Sequence, residues 1–207
     1  VITIDNHAGL PSRACIEANA HALARYAALC QEAGLVPIVE PEVLLDGDHS
    51  IEESFTVTRE TQHTVFEQLY RQNILFEGMV LKPSMVSSGK NNARQAGTQD
   101  VAERTLECLQ QTVPAAVPGI AFLSGGQTDE QATRHLNMMN RLARDLSLPW
   151  RLTFSYARAL QHQALSTWKG DAGQVDAARK ALLHRARLNA LASKGEYRDE
   201  LEQQKAA

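Results

Sequence analysis

Short apolar segments alternate with longer segments of helical periodicity along the sequence, and this alternation limits the possible folds more than any other feature. The apolar segments are rich in β-branched residues and have the length of buried strands. Between them, apolar residues recur three or four positions apart, which is typical of helices that bury one face. Five such strands, each followed by a helix, predict a parallel sheet covered by helices. The predicted strands are residues 1–4, 35–40, 79–82, 119–124 and 152–155.

Residues suited to helix ends stand between these strands. Pro11 suits a first helical turn, and Gly34 suits the C-terminal end of a helix. Thr128 and Gln131 have the spacing of a capping box, in which each side chain accepts a hydrogen bond from the backbone N–H of the other residue. The positions of these residues agree with the predicted order of strands and helices.

The last predicted helix lies within residues 172–193, which are rich in alanine and leucine, and the residues after it are polar and charged. We therefore predict one folded unit over residues 1–193, followed by a polar, frayed C-terminal tail at 194–207. Residue 1 is a valine that already belongs to a predicted strand, so we also expect this chain to be the C-terminal part of a longer protein.

Composition argues against several classes of partner. A chain of 207 residues, 43% of them hydrophobic, can form one core of ordinary size. A net charge of -3 without a dense basic run argues against nucleic-acid binding. No apolar run approaches the roughly 20 residues needed to cross a membrane, and the cysteines and histidines show no metal-ligand spacing. We expect a cytoplasmic protein that binds a small anionic ligand and needs no metal or other cofactor.

Lys82 ends the third predicted strand, at the edge where parallel α/β sheets carry their sites. An amine that points into a protein interior loses hydration, which favours the neutral form. A neutral amine can attack a carbonyl carbon and form a Schiff base. Lys82 is therefore a candidate nucleophile, and the alternative is a lysine that leaves the strand toward water or pairs with a glutamate.

Glu40 and Glu42 stand two positions apart at the end of the second predicted strand. If the strand continues through them, both side chains lie on the same face of the sheet. Two carboxylates at a strand end are suited to proton transfer near neutral pH. The alternative is a polar strand end that leads into the loop at residues 46–49.

A glycine turn follows the fourth predicted strand at Gly125 and Gly126. Glycines let a phosphate group approach backbone N–H groups beside a helix N-terminus, although a tight turn from strand to helix also needs glycine. Arg158 follows the fifth strand and adds a cation where adjacent strands of a barrel often build a phosphate site. The candidate phosphate-binding residues are Ser124, Gly125, Gly126, Ser155, Ala157 and Arg158.

Five motifs, in this order along the chain, resemble those of class I fructose-bisphosphate aldolase. They are VPIVEPE at residues 36–42, DGDH at 46–49, LKPSMV at 81–86, FLSGGQ at 122–127 and FSYARALQ at 154–161. The resemblance covers nearly the whole chain. That family folds as a (β/α)8 TIM barrel, so the resemblance implies that this chain supplies about the last five strands of such a barrel, with their helices.

The resemblance also implies a role for each candidate residue. Lys82 matches the lysine that forms a Schiff base with a ketose phosphate, and Glu40 matches the glutamate that moves protons while this adduct forms and dehydrates. Glu42 matches a second carboxylate that supports the site. The phosphate-binding positions of the family match Ser124, Gly125 and Arg158, with Gly126 beside them.

The implied reaction is the reversible, metal-independent cleavage of fructose 1,6-bisphosphate into dihydroxyacetone phosphate and glyceraldehyde 3-phosphate, in glycolysis and gluconeogenesis. Because the family is commonly tetrameric, the resemblance implies a homotetramer as well.

The sequence departs from the family in three places. Ala157 stands where the family has a glycine before the arginine, and Ser84 stands where an asparagine commonly follows the lysine–proline pair. The family's early strands, which carry an aspartate and a lysine close to the Schiff base, and its lysine and arginine just before the first strand of this chain have no match here. Two alternatives therefore stay open: a catalytically silent fragment that acts only as an interaction module, and another Schiff-base lyase such as a transaldolase-type barrel.

Overall fold

A computed structural model of the chain describes residues 1–203 and contains a four-stranded parallel sheet. The strands pair in the order β1, β2, β3, β4, and helices connect each strand to the next. The strands are β1 (Ile38–Val39), β2 (Val80–Leu81), β3 (Gly119–Phe122) and β4 (Arg151–Phe154). The helices are α1 (Arg13–Glu32), α2 (Ile51–Arg71), α3 (Thr98–Thr112), α4 (Asp129–Leu146), α5 (Arg158–Trp168) and α6 (Val175–Ala192). Short 3-10 helices lie at Phe76–Gly78, Ala172–Gln174 and Asp199–Gln203.

Parallel pairing of consecutive strands confirms the α/β fold class that the alternation predicts. The register joins Val39 to Leu81 and Leu81 to Ile120, and β3 pairs with β4 over four residues. Each connection between neighbouring strands contains a long helix, as parallel strands require. This order of strands and helices is that of one part of a (β/α)8 barrel.

The first predicted strand, residues 1–4, forms only an isolated parallel bridge between Ile2 and Val43. The Ile2 N–H donates to the Glu42 carbonyl at 2.8 Å, so this segment pairs with the chain after β1. Two features end β1 before that point. Pro41 has no N–H to donate to a ladder, and the Glu42 N–H turns back to the Glu40 carbonyl at 3.0 Å.

The two faces of the sheet differ in their environment. Val39, Leu81 and Ile120 are fully buried and belong to the main hydrophobic core, which the helices complete. Ile38 points to the opposite face and is 48% exposed. Side chains alternate along a strand, so Glu40 and Lys82, two positions after Ile38 and Val80, point toward this open face.

The helix ends agree with the sequence prediction in most details. Thr128 and Gln131 form the predicted capping box at the start of α4. Gly34 follows α1 with a positive φ of 72°, the conformation that glycine adopts without strain. Pro11 lies outside the first helical turn, because the N-cap residue is Ser12. None of the helices within residues 1–203 has the length and apolar character needed to cross a membrane.

The inward face of α1 is narrower than its apolar periodicity indicates. Tyr26 is 47% exposed, although it stands at helical spacing from the buried Ile16 and the half-buried Leu23. Apart from Ile16, the buried residues of α1 are the alanines Ala20, Ala24 and Ala27. Small side chains at these positions let α1 pack closely, and the larger tyrosine is left at the edge of the contact.

The segment after α6 packs against the domain as far as Glu202, so the expectation of a frayed tail is wrong for that part. The Tyr197 side chain is buried, and its backbone N–H donates to the Asn137 side chain at 2.9 Å. Asp199 accepts a hydrogen bond from Arg134 at 2.7 Å. These contacts attach the polar segment to α4. The predicted tail at residues 204–207 lies outside the described part of the chain, and the division at residue 193 stays a prediction.

Candidate active site

The side chains of Lys82 and Glu40 meet where β1 and β2 end. Lys82 Nζ lies 3.1 Å from Glu40 Oε1. The two residues extend the register of adjacent strands by one position, because Val39 pairs with Leu81. The Lys82 N–H also donates to the Val39 carbonyl at 2.8 Å, which fixes its backbone. Both side chains lie on the open face because each follows an exposed or half-buried strand residue by two positions.

Burial differs between the two partners. The Lys82 side chain is 20% exposed, whereas that of Glu40 is 41% exposed. The amine is therefore largely enclosed but can still be reached from the open face. A carboxylate at hydrogen-bond distance can take a proton from such an amine and return it in a later step. The contact itself fits both alternatives that the sequence left open for Lys82, a nucleophile or an ion-paired strand end.

Glu42 does not share the environment of Glu40, because the strand does not continue through both acids and the condition for a common face is not met. Its Oε1 atom lies 2.9 Å from the position that a Cβ atom on Gly125 would occupy. The reason is the turn at Pro41, which ends the alternation of side chains after Glu40. Glu42 therefore lies against the glycine turn after β3, while Glu40 contacts the amine after β2.

The glycine turn has the geometry that the sequence predicts. The Gln127 N–H donates to the Ser124 carbonyl at 3.1 Å, which closes a four-residue turn around Gly125 and Gly126. Gly126 has a φ of 83°, which only glycine adopts readily. Helix α4 starts two residues later, so its N-terminus lies close to the turn. Ser124 is buried. The turn lies at the same sheet edge as Lys82, and its glycines would let a ligand come close to the backbone.

The predicted arginine site lies at the adjacent strand end. The Ser155 N–H donates to the Phe122 carbonyl at 2.9 Å and continues the pairing of β4 with β3. Tyr156 is buried, and its hydroxyl donates to the Ala132 carbonyl in α4 at 2.9 Å. Ala157 is the N-cap of α5 and has a φ of -90°, outside the left-handed region that favours glycine. Exposed Arg158 begins the helix and lines a cavity beside Gly126.

Ser84, the second departure from the family motif, has a structural role beside the site. Its hydroxyl donates to the Val43 carbonyl at 2.8 Å and accepts from the Val43 N–H at 3.0 Å. Ser84 is buried, so these two hydrogen bonds satisfy groups that water does not reach. They join the chain after β2 to the chain after β1, on which Glu42 stands.

Two loops that follow β1 and β2 pack tightly against each other near the site. A Cβ atom on Gly89 would lie 2.4 Å from the Gly47 carbonyl oxygen, which leaves room for glycine only. His49 lies between these loops, and burial lowers the pKa of its imidazole. The Gly89 N–H donates to the His49 carbonyl at 2.8 Å. The loop after β2 is thus held in place by the DGDH segment.

Lys90 is a residue near the site that the sequence reasoning missed. Its Nζ atom lies 2.8 Å from Asp46 Oδ1. It also lines the cavity beside Arg158 and Gly126. A lysine directly after Gly89, in the loop that follows the Lys82 strand, is a signal that could have identified it. This signal is weak, because the sequence does not indicate whether the loop directs the Lys90 side chain toward the site.

The fold and site together define an α/β chain of barrel type with a lysine–carboxylate centre at the carboxyl ends of its strands, the class that includes Schiff-base aldolases. The family model described as fructose-bisphosphate aldolase class-I matches residues 1–207. The chain belongs to that family.

Individual relatives agree with this membership. The chain is 56% identical over 190 residues to a probable fructose-bisphosphate aldolase class 1 of Xanthomonas campestris, covering 91% of this chain and 56% of the relative. It is 50% identical to the fructose-bisphosphate aldolase of Dictyostelium discoideum, covering 97% of this chain and 55% of that one. The solved structure of a Plasmodium falciparum fructose-bisphosphate aldolase superposes with a TM-score of 0.92 at 47% identity, over 95% of this chain and 56% of its own.

The chain spans little more than half the length of these relatives. Close structural similarity over that span confirms the prediction of a partial TIM barrel. Family membership also argues against the transaldolase-type alternative.

Proposed function

We propose that the protein acts as a class I fructose-bisphosphate aldolase and cleaves fructose 1,6-bisphosphate through a Schiff base on Lys82. The observation that supports this most directly is the 3.1 Å contact between Lys82 Nζ and Glu40 Oε1. It joins a largely buried amine to a carboxylate on the open face of the sheet. Membership of the aldolase family supports the choice of substrate.

In the proposed mechanism, the Lys82 amine attacks the C2 carbonyl carbon of the ketose and forms a carbinolamine. The carbinolamine hydroxyl leaves as water after it takes a proton, which Glu40 is placed to supply, and an iminium remains. The electron pair of the bond between C3 and C4 then moves toward the iminium nitrogen. The Glu40 carboxylate, which gave its proton to the departing water, takes the proton of the C4 hydroxyl, and the products are glyceraldehyde 3-phosphate and an enamine on Lys82.

The second half of the cycle releases the other product. The enamine takes a proton at C3 and returns to an iminium. Water adds to C2 and the carbon–nitrogen bond breaks. Dihydroxyacetone phosphate is released, and the side chain of Lys82 is again a free amine. Glu40, which is 41% exposed, can exchange its proton with solvent between these steps.

The glycine turn and Arg158 are the proposed binding site for a substrate phosphate group. Backbone N–H groups at a turn beside the N-terminus of α4 suit an anion, and the guanidinium of Arg158 adds a charge-assisted contact. Ser124, Gly125, Gly126, Ser155, Ala157 and Arg158 form this proposed site. Glu42, which lies against Gly125, supports the shape of the turn.

By family resemblance we further propose a cytoplasmic homotetramer that serves glycolysis and gluconeogenesis and uses no metal. The alternative of a catalytically silent module predicts that none of the chemistry on Lys82 occurs. One experiment separates the two.

The test is intact-mass spectrometry of the protein after borohydride reduction in the presence of dihydroxyacetone phosphate, followed by peptide mapping. The expected result is one covalent adduct on the peptide that contains Lys82, because borohydride reduces the iminium to a stable amine. Omission of dihydroxyacetone phosphate provides the control. An adduct that is absent, or spread over several lysines, would contradict the proposal.

Substitution of Gly125 by alanine tests the proposed phosphate site. The new Cβ atom would lie 2.9 Å from Glu42 Oε1, so the flexible Glu42 carboxylate must move. We expect the dihydroxyacetone phosphate concentration for half-maximal adduct formation to rise by roughly tenfold, which is the loss of about one charge-assisted hydrogen bond. Gly119→Ala is the matched control, since its nearest neighbour would lie at 3.6 Å. Equal effects of the two substitutions would remove Gly125 from the site.

A further inference from the structure

The backbone of Lys90 is fixed at the edge of the proposed phosphate site. Its N–H donates to the Leu45 carbonyl at 2.8 Å, and the next N–H, of Asn91, donates to the Gly47 carbonyl at 2.9 Å. These two bonds hold the loop after β2 against the loop after β1. The starting point of the Lys90 side chain is therefore set by the fold.

The Lys90 side chain lies against the glycine turn. Its Cε atom lies 3.1 Å from the position that a Cβ atom on Gly126 would occupy. Gly126 has no side chain, so no Cβ atom separates its backbone from the lysine. An ammonium group on this side chain is consequently held near the same turn that is proposed to receive a phosphate.

Lys90 and Arg158 line one cavity of about 290 Å³. This volume is several times the roughly 30 Å³ that one water molecule occupies in the liquid, so it has room for a phosphate group and some water. The remaining lining residues are Gly126, Gln127, Asp129 and His162.

Two carboxylates balance these cations. Asp129 belongs to the first turn of α4 and lies 3.8 Å from the His162 imidazole. Asp46 accepts a hydrogen bond from Lys90, and this bond together with the charges of Lys90 and Arg158 lowers the pKa of its carboxyl group. Asp46 is therefore ionised at neutral pH and is the counter-ion of Lys90. The pair is exposed, 41% at Lys90 and 64% at Asp46, so an anion from solution can compete for the lysine.

We propose that Lys90 is a second cation of the phosphate site, and that the substrate's phosphate group replaces Asp46 as its partner. Arg158 and Lys90 then hold the phosphate from two strand ends, after β4 and after β2. Asp46 keeps the lysine in position when the site is empty and weakens binding by the cost of its displacement. No covalent bond changes in this exchange of ion pairs. This inference rests on the proposed aldolase function only in the choice of a phosphate-bearing substrate.

The test is the affinity of the protein for inorganic phosphate, measured by calorimetric titration in the wild type and in three variants. Lys90→Gln is expected to weaken binding by roughly tenfold, the loss of one charge-assisted contact. Asp46→Asn is expected to strengthen it by about threefold, because a competing anion is removed. Lys90→Arg keeps the charge and should stay within about twofold of the wild type. Lys194→Gln, on the polar C-terminal segment, is the matched control for loss of one positive charge.

The opposite signs distinguish binding from a purely structural role. If the ion pair only holds the two loops together, Lys90→Gln and Asp46→Asn will weaken phosphate binding alike, and the proposal is wrong. Unchanged affinity in Lys90→Gln, or no phosphate binding by the wild type, would also overturn it. A failure to form the borohydride adduct on Lys82 counts against the aldolase proposal instead, and the phosphate titration still reports on Lys90.

Discussion

Replacement of Lys82 by methionine is expected to abolish the borohydride-trapped adduct and to lower the cleavage rate by about 10⁴-fold or more. The physical reason is the loss of the only proposed nucleophile, because loss of a covalent nucleophile typically costs this much or more. Methionine keeps an unbranched apolar chain of similar length, so packing against the end of β2 is largely retained. The Glu40 carboxylate is 41% exposed and can be hydrated once its partner is gone. The change in unfolding free energy should therefore stay within about 1 kcal/mol.

Lys180→Met is the matched control for this experiment. Lys180 is exposed on α6 and is not among the residues proposed to form the site. The control should form the adduct at the wild-type rate, and both variants should give the same thermal unfolding midpoint to within a few degrees. An adduct of unchanged yield in Lys82→Met, mapped to another lysine, would show that the chemistry belongs elsewhere.

The position of Lys82 can be predicted from the sequence because the pattern that indicates it lies within a few neighbouring residues. An apolar run of strand length that ends in lysine, within a repeated strand–helix order, places the amine at the carboxyl edge of a parallel sheet. The same reasoning predicts the glycine turn and the arginine one strand further on. Each of these features depends on only a few consecutive residues, and the structure brings their strand ends together as the parallel order requires.

The separation of Glu40 from Glu42 could not be predicted from alternation alone. Alternation assumes that a strand continues, whereas the backbone hydrogen bond from Glu42 to Glu40 ends it. Pro41 between them was the available signal, because a residue without an N–H interrupts a ladder. The same turn explains why the first predicted strand pairs only at Ile2, beyond the end of β1.

Long-range polar contacts were the least predictable part of the fold. Arg185 stands in a helix rich in charged and alanine residues, so its pattern indicates a solvent-facing position. Its side chain is in fact fully buried, and its partner Glu202 lies in the segment that composition predicts to be frayed. Polar composition indicates the average tendency of a segment to be hydrated. It does not show that one carboxylate in the segment can pair with a buried arginine and hold the segment against the domain.

Replacement of Glu202 by alanine is therefore expected to give the largest loss of stability among changes at the polar C-terminal segment. Arg185 Nη1 and Nη2 donate to Glu202 Oε1 and Oε2 at 2.9 and 2.8 Å, in a bidentate pair. The Tyr197 hydroxyl donates to the same carboxylate at 2.8 Å. Without Glu202, a buried guanidinium loses its counter-ion, which costs about 3–5 kcal/mol of unfolding free energy. In a domain of this size, that loss lowers the thermal midpoint by roughly 6–20 °C.

Glu200→Ala provides the matched control, since Glu200 is exposed two positions away and its replacement should change the unfolding free energy by less than about 0.5 kcal/mol.

The double variant Arg185→Met with Glu202→Ala adds a second comparison. It removes the buried charge together with its partner, so it should be more stable than Glu202→Ala alone. Calorimetric unfolding of the three variants measures these differences. If Glu202→Ala unfolds at the same temperature as Glu200→Ala, the C-terminal segment contributes no stability through this ion pair. A double variant less stable than Glu202→Ala would mean instead that Arg185 acts through its packing and its contact with Thr133, at 3.3 Å, rather than through its charge.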